Sequence, residues 1–459
     1  MPNYLITNGT LINATSSQEA DIAVSNGKIE AIGKFRPEEF AGYDKIDASG
    51  KYIFPGGIDP HVHLALPTPA GNSCDDFIAG SKAAIAGGTT GFIDFVTPLR
   101  GQSLFEAVRQ RKAEASASLI DYSLHAGISE WNLDAPAEII QCIEKEGITS
   151  FKTYLAYRES IGIKYTELKT VLEIVGPAGG MVLVHCEDGD IVTGLQKSFL
   201  RENKTNASCH AHSHPPIAEI RAVEKVIELS AATGCPVYIV HTSTAGAANA
   251  IFKVKESGLK ILGETCIQYL MLDDSVYADS IENIKVLPYV ISPPLRSIKD
   301  QDRIWKGLAD GTFDTLATDH CPFNLFGQKD MGINDFTKIP NGAGGIEHRL
   351  SLLYTYGVLT GKITLNQFVN LISTGPADIF GFGNRKGKLQ AGFDADIVIW
   401  NPEVKSIISA KNHFQNCDSD IYDGIAVQGK PEIVLVNGKI AYKGGVLKTD
   451  GLKGNFIAR

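Results

Sequence analysis

The chain has 459 residues, 44% of them hydrophobic, and a formal net charge of −9 from 43 basic and 52 acidic side chains. This composition excludes a disordered chain, and the length excludes a small domain held together by disulfides. The sequence contains no basic run, which argues against nucleic-acid binding and against attachment to an anionic membrane, so we expect a small-molecule partner.

Both ends of the chain have the pattern of short β-strands. Asn8-Gly9, Asn26-Gly27 and Asn437-Gly438 separate alternating apolar runs, a pattern typical of tight hairpins. The predicted terminal strands are 4–6, 10–12, 21–24, 28–32, 396–400, 433–436 and 439–442. We therefore expect residues 1–56 and 385–459 to form one composite β-domain, a small β-sandwich, beside a separate unit at 57–384.

The middle of the chain alternates short apolar runs with helical patterns, which predicts parallel β-α units. The candidate strands are 58–63, 90–95, 122–127, 149–152, 181–185, 237–241, 260–266 and 315–319, and the helices between them include 77–86, 135–146 and 217–232. Eight strands predict an α/β fold with a closed (β/α)₈ barrel. The connection 267–314 is too long for a bare linker, so we expect a functional loop there.

Residues that can bind metals follow the apolar part of several strands. His61 and His63 are two residues apart, so on a strand both imidazoles project from one face. Four further strands end in a polar residue: Lys152, His185, His241 and Asp319. Each could be a simple polar cap. Because all strands of a barrel open on one mouth, and because imidazole and carboxylate suit zinc, together they predict a metal site.

Lys152 does not fit such a site as an ordinary side chain, because an ammonium with a pKa of about 10.4 repels cations. Two interpretations remain open from the residues alone. The amine could take up carbon dioxide and become a carbamate that bridges two metals. It could equally be a lysine paired with a carboxylate, and the spacing alone favours this second interpretation.

Six segments, taken in their order along the chain, resemble the cyclic amidohydrolases of the dihydropyrimidinase and hydantoinase family. They are PGGIDPHVH at 55–63, AGGTT at 86–90, SFKTYLAY at 150–157, SPPLR at 292–296, TDHCPF at 318–323 and PNG at 340–342. The match runs in order from about residue 4 to 445. The resemblance implies a binuclear zinc hydrolase that opens 5-substituted hydantoins or dihydropyrimidines to N-carbamoyl amino acids, by attack of a metal-bound hydroxide on the ring carbonyl.

The resemblance also implies a role for each matching residue. The metal ligands would be His61, His63, Lys152, His185, His241 and Asp319. Carboxylated Lys152 would bridge two Zn²⁺ ions, and Asp319 would also carry the proton from water to the leaving nitrogen. Tyr157 would hydrogen-bond the reacting carbonyl, while Ser292 and Asn341 would hold the ring amide through their backbone. Relatives are commonly tetramers or dimers, so a homo-oligomer is expected.

Several alternatives remain open for the substrate. Dihydroorotases also resemble this chain, but they have an arginine where Ala65 stands, which disfavours a charged acid substrate. Leu64, Ala65, Leu66 and Leu155 either form an apolar substrate pocket or pack at the barrel rim. Allantoinase-like or dihydroorotase-like activity, a mononuclear amidohydrolase or deaminase, and a non-catalytic scaffold are the competing functions. Scaffold relatives have lost metal ligands, whereas all six are present here.

The remaining histidines and the cysteines have plainer predictions. His125 and His320 are expected in the core or behind the ligands. His210, His212 and His214 are expected in a solvated or substrate-rim loop; the family usually has arginine at 214, and proline where Ile267 stands. The eight cysteines form no C-x-x-C pair, so we expect reduced thiols. The chain shows no signal-peptide pattern and no apolar stretch of about 18 residues, so a cytoplasmic protein is expected.

Overall fold

A barrel of eight parallel strands forms the middle of the chain. The computed structural model describes residues 2–278 and 283–459. The barrel strands follow one another in chain order around the sheet: Gly57–Val62, Thr89–Val96, Asp121–Gly127, Ser150–Tyr154, Met181–His185, Val237–Ile239, Ile261–Cys266 and Thr315–Ala317. A parallel bridge between Val62 and His320 links the first strand to the segment after the last. The predicted (β/α)₈ barrel is confirmed, with strand ends shifted by at most two residues.

The barrel strands are buried on both faces, which explains their continuous apolar runs. All eight residues of Thr89–Val96 are buried, as are all seven of Asp121–Gly127. Inside the barrel, Ile93, Phe95 and Leu183 belong to one buried cluster. This cluster forms an apolar floor beneath the mouth, where the strands end.

Helices connect the strands and cover the outside of the barrel. The α-helices are Phe77–Ala86, Leu104–Ala115, Ala135–Glu146, Tyr165–Val175, Gly189–Arg201, Ser208–Ser213, Pro216–Thr233, Ala245–Lys255, Ile267–Met271, Asn283–Val286, Ile298–Ala309, Arg349–Leu353, Leu365–Val369 and Gly375–Ile379. Short 3₁₀ or π turns lie at Pro37–Phe40, Asp274–Tyr277, Leu287–Tyr289, Lys329–Gly332, Phe336–Lys338, Tyr354–Val358 and Asn370–Thr374. The helices predicted at 77–86 and 135–146 begin and end at the residues that the structure shows. The connection 267–314 contains several helices, and its residues 279–282 lie outside the described residues.

Strands from both ends of the chain form a second, mostly antiparallel sheet. They are Tyr4–Ile12, Ser17–Ser25, Lys28–Gly33, Asp44–Asp47, Tyr52–Pro55, Ile397–Ile407, Ala426–Val436, Lys439–Lys443 and Val446–Leu447. The two ends meet where Tyr52–Pro55 pairs with Ile397–Ile407. The predicted β-domain built from both termini is confirmed. A two-stranded ribbon, Pro67–Thr68 with Gly71–Asn72, lies apart from both sheets.

The hairpin predicted at Asn8-Gly9 is wrong. Tyr4–Ile12 is one strand with a register shift between Ile6 and Gly9, which is a β-bulge. Asn8 has φ 63°, and a Cβ on Gly9 would lie 2.4 Å from Ile53 Cδ1. Because a bulge and a tight turn both need left-handed backbone, the dipeptide alone does not distinguish them. Asn26-Gly27 and Asn437-Gly438 do connect paired strands, as predicted.

The chain ends against the barrel. Gly454 N donates to Ser118 O, and Ile457 N donates to Tyr122 O. All eight cysteines are free thiols, and six of them are buried. Within residues 2–278 and 283–459, no helix has the length and apolar character needed to cross a bilayer.

Candidate metal centre at the barrel mouth

His61, His63 and Asp319 meet at the mouth of the barrel. The Nε2 atoms of His61 and His63 each lie 3.1 Å from Asp319 Oδ1. His61 lies near the end of the strand Gly57–Val62, His63 comes directly after that strand, and Asp319 lies two residues beyond Thr315–Ala317. Burial raises the pKa of Asp319, but the His61 charge and hydrogen bonds from both imidazoles hold it well below its usual range. Two imidazoles thus converge on one carboxylate oxygen.

His185 and His241 form the second half of the cluster. His185 Nδ1 lies 2.9 Å from His241 Nε2, and the rings of His61 and His241 are 5.4 Å apart. Burial lowers the pKa of both His185 and His241, which favours the neutral ring with a lone pair to offer. Donor atoms of His61, His241 and Asp319 all lie within 4.8 Å of one another. Such a set of donors suits a divalent cation.

Lys152 lies fully buried among these ligands. Its Nζ has no hydrogen-bond partner and no ion-pair partner among the described residues, and it lies 4.8 Å from the centre of the Phe95 ring. The interpretation of Lys152 as a lysine paired with a carboxylate is therefore not what the described residues show. Burial lowers its pKa to about 8. A buried amine without a partner is costly, so this position fits a lysine that is converted into another group.

Unusual backbone conformations concentrate at this mouth. Eight described non-glycine residues have positive φ, and four of them are asparagines, which tolerate this region. The other four are Ala65, Tyr157, His241 and Asp319, with φ between 37° and 57°. Three of these four are predicted site residues. Strained backbone of this kind costs about 1–3 kcal/mol per residue and is retained where geometry serves function.

Tyr157, Ser292 and Asn341 lie together at the edge of the centre. Asn341 Nδ2 donates to Ser292 Oγ at 3.0 Å, and the Tyr157 hydroxyl hydrogen-bonds the side chains of both residues. Burial raises the pKa of Tyr157, so its hydroxyl remains protonated and can donate. Tyr157 and Asn341 also line a cavity of about 380 Å³. The structure thus brings every predicted site residue to one mouth.

The sequence and the fold both match known proteins. The family model described as "Amidohydrolase family" matches residues 52–441. A D-hydantoinase from Geobacillus stearothermophilus is 41% identical over 440 residues, covering 96% of this chain and 93% of that protein. The chain belongs to the amidohydrolase family. The predicted family, that of the dihydropyrimidinases and hydantoinases, is confirmed.

Other relatives match this chain over nearly its whole length. A dihydropyrimidinase from Arabidopsis thaliana is 36% identical over 457 residues, covering 99% of this chain and 85% of that protein. The crystal structure of a dihydropyrimidinase from Brevibacillus agri superposes with a TM-score of 0.97 at 38% identity, covering 100% of this chain and 98% of that one. This amidohydrolase therefore shares both its barrel and its β-domain with these relatives.

Two buried carboxylates behind the histidines were not predicted from the sequence. Glu264 Oε1 lies 2.7 Å from His61 Nδ1 and accepts the backbone N–H of His241 at 2.8 Å. Glu187 Oε2 lies 3.0 Å from His185 Nε2. Each carboxylate fixes the ring orientation of its histidine, which is how such partners support metal ligands. A glutamate inside the buried strand Ile261–Cys266 was a usable clue in the sequence.

The prediction of a solvated loop is wrong for two of the three clustered histidines. His210 and His214 are buried, whereas His212 is exposed. His210 and His214 lie four residues apart along the short helix Ser208–Ser213 and its C-terminal cap. Their rings therefore face the same side, with centres 4.5 Å apart. His214 Nδ1 lies 3.0 Å from Glu187 Oε1. His210 Nε2 lies 3.2 Å from Ser292 Oγ, so only His210 is at the predicted substrate rim.

Leu64 and Leu155 do not form the suggested apolar pocket. Both are fully buried and pack in the main hydrophobic cluster, which leaves neither side chain exposed to a substrate. The predictions for the other two histidines are confirmed. His125 lies in the core between Pro60 O and Ser150 Oγ, and His320 Nε2 lies 2.9 Å from Asp75 Oδ2.

Proposed function

We propose that this amidohydrolase opens the ring of uncharged cyclic amides, hydantoins or dihydropyrimidines, by hydrolysis to N-carbamoyl amino acids. The proposal rests on buried Lys152, which lies among four histidines and Asp319 and has no partner within the part of the chain that the structure describes. The relatives named D-hydantoinase and dihydropyrimidinase support this substrate class.

The residues at the mouth fit two zinc ions. His61, His63 and Asp319 would hold one, His185 and His241 the other, and Lys152 would contact both as its N6-carboxylated form. Bound there, the two ions would acidify a water molecule and polarise the ring carbonyl. Glu264 and Glu187 would keep the imidazole rings oriented through the hydrogen bonds described above.

Lys152 is suited to carboxylation because a neutral amine is the reactive form. Its lone pair bonds the carbon of carbon dioxide and the nitrogen loses a proton, which leaves a carbamate anion with two oxygens. Burial lowers the pKa of Lys152 to about 8, so a larger share of it is neutral near pH 7 than of an exposed lysine. Conversion also removes the repulsion between an ammonium and the cations.

Asp319 is placed to move a proton and Tyr157 to stabilise charge. Asp319 would take the proton from the attacking water and deliver it to the ring nitrogen as the carbon–nitrogen bond breaks. The Tyr157 hydroxyl would donate to the carbonyl oxygen as it becomes negative. Ser292 and Asn341, which hydrogen-bond Tyr157, would hold the ring amide beside it.

An uncharged ring is the expected substrate, in preference to a ring that bears a carboxylate. Ala65 stands at the position that holds the substrate-binding arginine in dihydroorotases, and it offers no cation. A homo-oligomeric state, expected from the resemblance, stays a prediction.

Ring opening is tested on metal-replete protein with dihydrouracil, hydantoin, phenylhydantoin, allantoin and dihydroorotate, with zinc counted in the same sample. We expect hydrolysis of the hydantoins or dihydrouracil and about two zinc ions at the barrel mouth of each chain. A clear preference for dihydroorotate would contradict the substrate class, and full turnover with only one ion at the mouth would indicate a mononuclear enzyme. No turnover on any ring would favour a scaffold.

A further inference from the structure

A second cluster of metal-binding side chains lies outside the barrel mouth. His348 precedes the helix Arg349–Leu353, while His413 and Asp420 belong to the β-domain loop between Ile397–Ile407 and Ala426–Val436. The three side chains are at most 10% exposed. One nitrogen of each imidazole and one oxygen of Asp420 lie within 4.8 Å of one another. Residues far apart in sequence therefore present three donors to one point.

The hydrogen bonds of His413 leave a lone pair directed at this point. His413 Nε2 lies 2.9 Å from the carbonyl oxygen of Cys417, so Nε2 carries the hydrogen and donates it. In the neutral ring Nδ1 is then an acceptor, and it faces Asp420 Oδ2 at 3.4 Å. Burial lowers the pKa of His413, but the hydrogen bonds to Asp420 and to the Cys417 carbonyl raise it to about 9, so a proton or a metal ion can occupy the space between Nδ1 and Oδ2. A backbone carbonyl on the far nitrogen is typical of imidazoles that bind metals.

The distance from His413 to Asp420 suits a metal ion better than a shared proton, whereas the 2.8 Å from His348 to Asp420 is an ordinary hydrogen-bond length. A charge-assisted N–H···O bond is about 2.7–2.9 Å long, shorter than the 3.4 Å between His413 Nδ1 and Asp420 Oδ2. A tetrahedral zinc ion with bonds of about 2.1 Å separates neighbouring ligand atoms by about 3.4 Å. His348 Nε2, at 2.8 Å from the same oxygen, would need to retreat by about half an ångström.

Gln415 supplies the fourth position. Its Nε2 lies 3.3 Å from His348 Nε2 and 3.4 Å from His413 Nδ1. An amide N–H has no acceptor there when both imidazole lone pairs point to a cation. Rotating the amide by 180°, which exchanges two atoms of similar size, brings Oε1 to this position as a further ligand.

We propose that His348, His413, Asp420 and Gln415 form a third zinc site, separate from the two-zinc centre. Two nitrogen and two oxygen donors suit tetrahedral zinc. His348 and His413 also line a cavity of about 240 Å³ between the barrel and the β-domain.

This site would fix the β-domain loop that supports the barrel mouth. Asn416, in the same loop, donates its N–H to Asp75 Oδ1 at 2.6 Å. The other oxygen of Asp75 lies 2.9 Å from Nε2 of His320, and His320 directly follows Asp319 in the sequence. The proposed zinc is structural, because all four ligand positions come from the protein.

The test counts zinc in the full-length protein after loading with Zn²⁺ alone and removal of free metal. Wild type is compared with His413→Ala and Asp420→Ala, and with His212→Ala as a control at an exposed histidine. We expect each cluster variant to bind one zinc ion fewer than wild type and the control to bind the same number. Equal zinc in wild type and His413→Ala would overturn the proposal.

Anomalous diffraction at the zinc edge locates the ions without any variant. We expect a peak enclosed by His348, His413 and Asp420 in crystals of zinc-loaded wild type. Peaks at the barrel mouth with none here would overturn the third site. A peak here with none at the mouth would support it and would instead contradict the two-zinc centre, so the two failures are distinguishable.

Discussion

Lys152 and Lys386 are both buried, but their surroundings are opposite. Lys152 Nζ, at the barrel mouth, has no hydrogen-bond partner among the described residues. Lys386 Nζ, where the barrel meets the β-domain, lies 2.7 Å from Asp121 Oδ2 and 3.1 Å from Asp394 Oδ2, and it also contacts Asp396. Burial lowers the pKa of Lys152 to about 8. Burial also disfavours the charge on Lys386, but its carboxylate neighbours raise its pKa above the ordinary value.

The comparison shows that partners, more than depth, decide what a buried lysine does. Lys386 stays a cation and joins a barrel strand, through Asp121, to the start of the β-domain strand at Asp396. Lys152 is the amine that the fold leaves available for chemistry. Two kinds of experiment follow from this contrast: changes at the mouth should remove activity, and changes at the junction should remove stability.

The largest effect is expected from Lys152→Met. This variant has no amine to carboxylate, so we expect ring opening to fall to the level of a blank without protein, together with loss of zinc from the mouth. Turnover and zinc content are measured on the same sample. Lys386→Met is the matched control, and turnover per folded chain should survive in it. Substantial activity in Lys152→Met would remove the basis of the contrast.

Asp319→Asn tests a second group at the barrel mouth, the proposed proton carrier. Loss of a positioned proton carrier lowers kcat by about 10²–10⁴-fold. We expect that loss with much of the zinc retained, because the amide still offers an oxygen to the metal. Steady-state kinetics with zinc counted in parallel checks it, and near-normal kcat would refute the proton-carrier role of Asp319.

The architecture was predictable because it follows from local patterns. Eight apolar runs of strand length, separated by helical segments, predict the barrel. The rule that parallel strands open on one mouth then brings Asp319 to His61, 258 positions away in sequence. The terminal β-domain was predictable for the same reason, since alternation and Asn-Gly dipeptides are local features.

What sequence could not supply are contacts that depend on three-dimensional packing. Glu264 meets His61 across the barrel, and no local pattern pairs two residues that are 203 positions apart. His210 and His214 look like part of a polar run until the short helix turns both inward. At Asn8-Gly9 the dipeptide fits both a turn and a bulge, and the partner strand decides between them.

Lys386→Met tests the junction. Removing one partner of a buried charge cluster leaves carboxylates uncompensated and costs about 3–5 kcal/mol of unfolding free energy. Chemical denaturation of the metal-free protein measures it. Lys152→Met in the same metal-free state should keep or gain stability, because it removes an amine without a partner. If both variants lose stability equally, the two lysines do not differ as described.

The smallest expected effect is the loss of unfolding free energy at acid pH through Asp394. Burial would raise the pKa of Asp394, but Lys386, with hydrogen bonds from Lys28 and Arg385, lowers it to about 2. The folded value is below the unfolded value of about 3.9. Asp394 therefore contributes stability that is present above about pH 4 and is lost as the pH falls towards 2.

Denaturation at several acid pH values checks this contribution. Asp394→Asn should flatten the dependence of unfolding free energy on pH in that range. Asp378→Asn is the control, because Asp378 is half exposed and pairs with Lys388 at the surface. Equal acid dependence in wild type and Asp394→Asn would contradict the prediction.

The most direct test of the central claim is ¹³C NMR of zinc-loaded protein prepared with ¹³C-bicarbonate. The account predicts one protein-bound carbamate carbon per chain, which disappears in Lys152→Met and remains in Lys386→Met. Two zinc ions bound at the mouth without a carbamate signal, or a signal that persists in Lys152→Met, would contradict it.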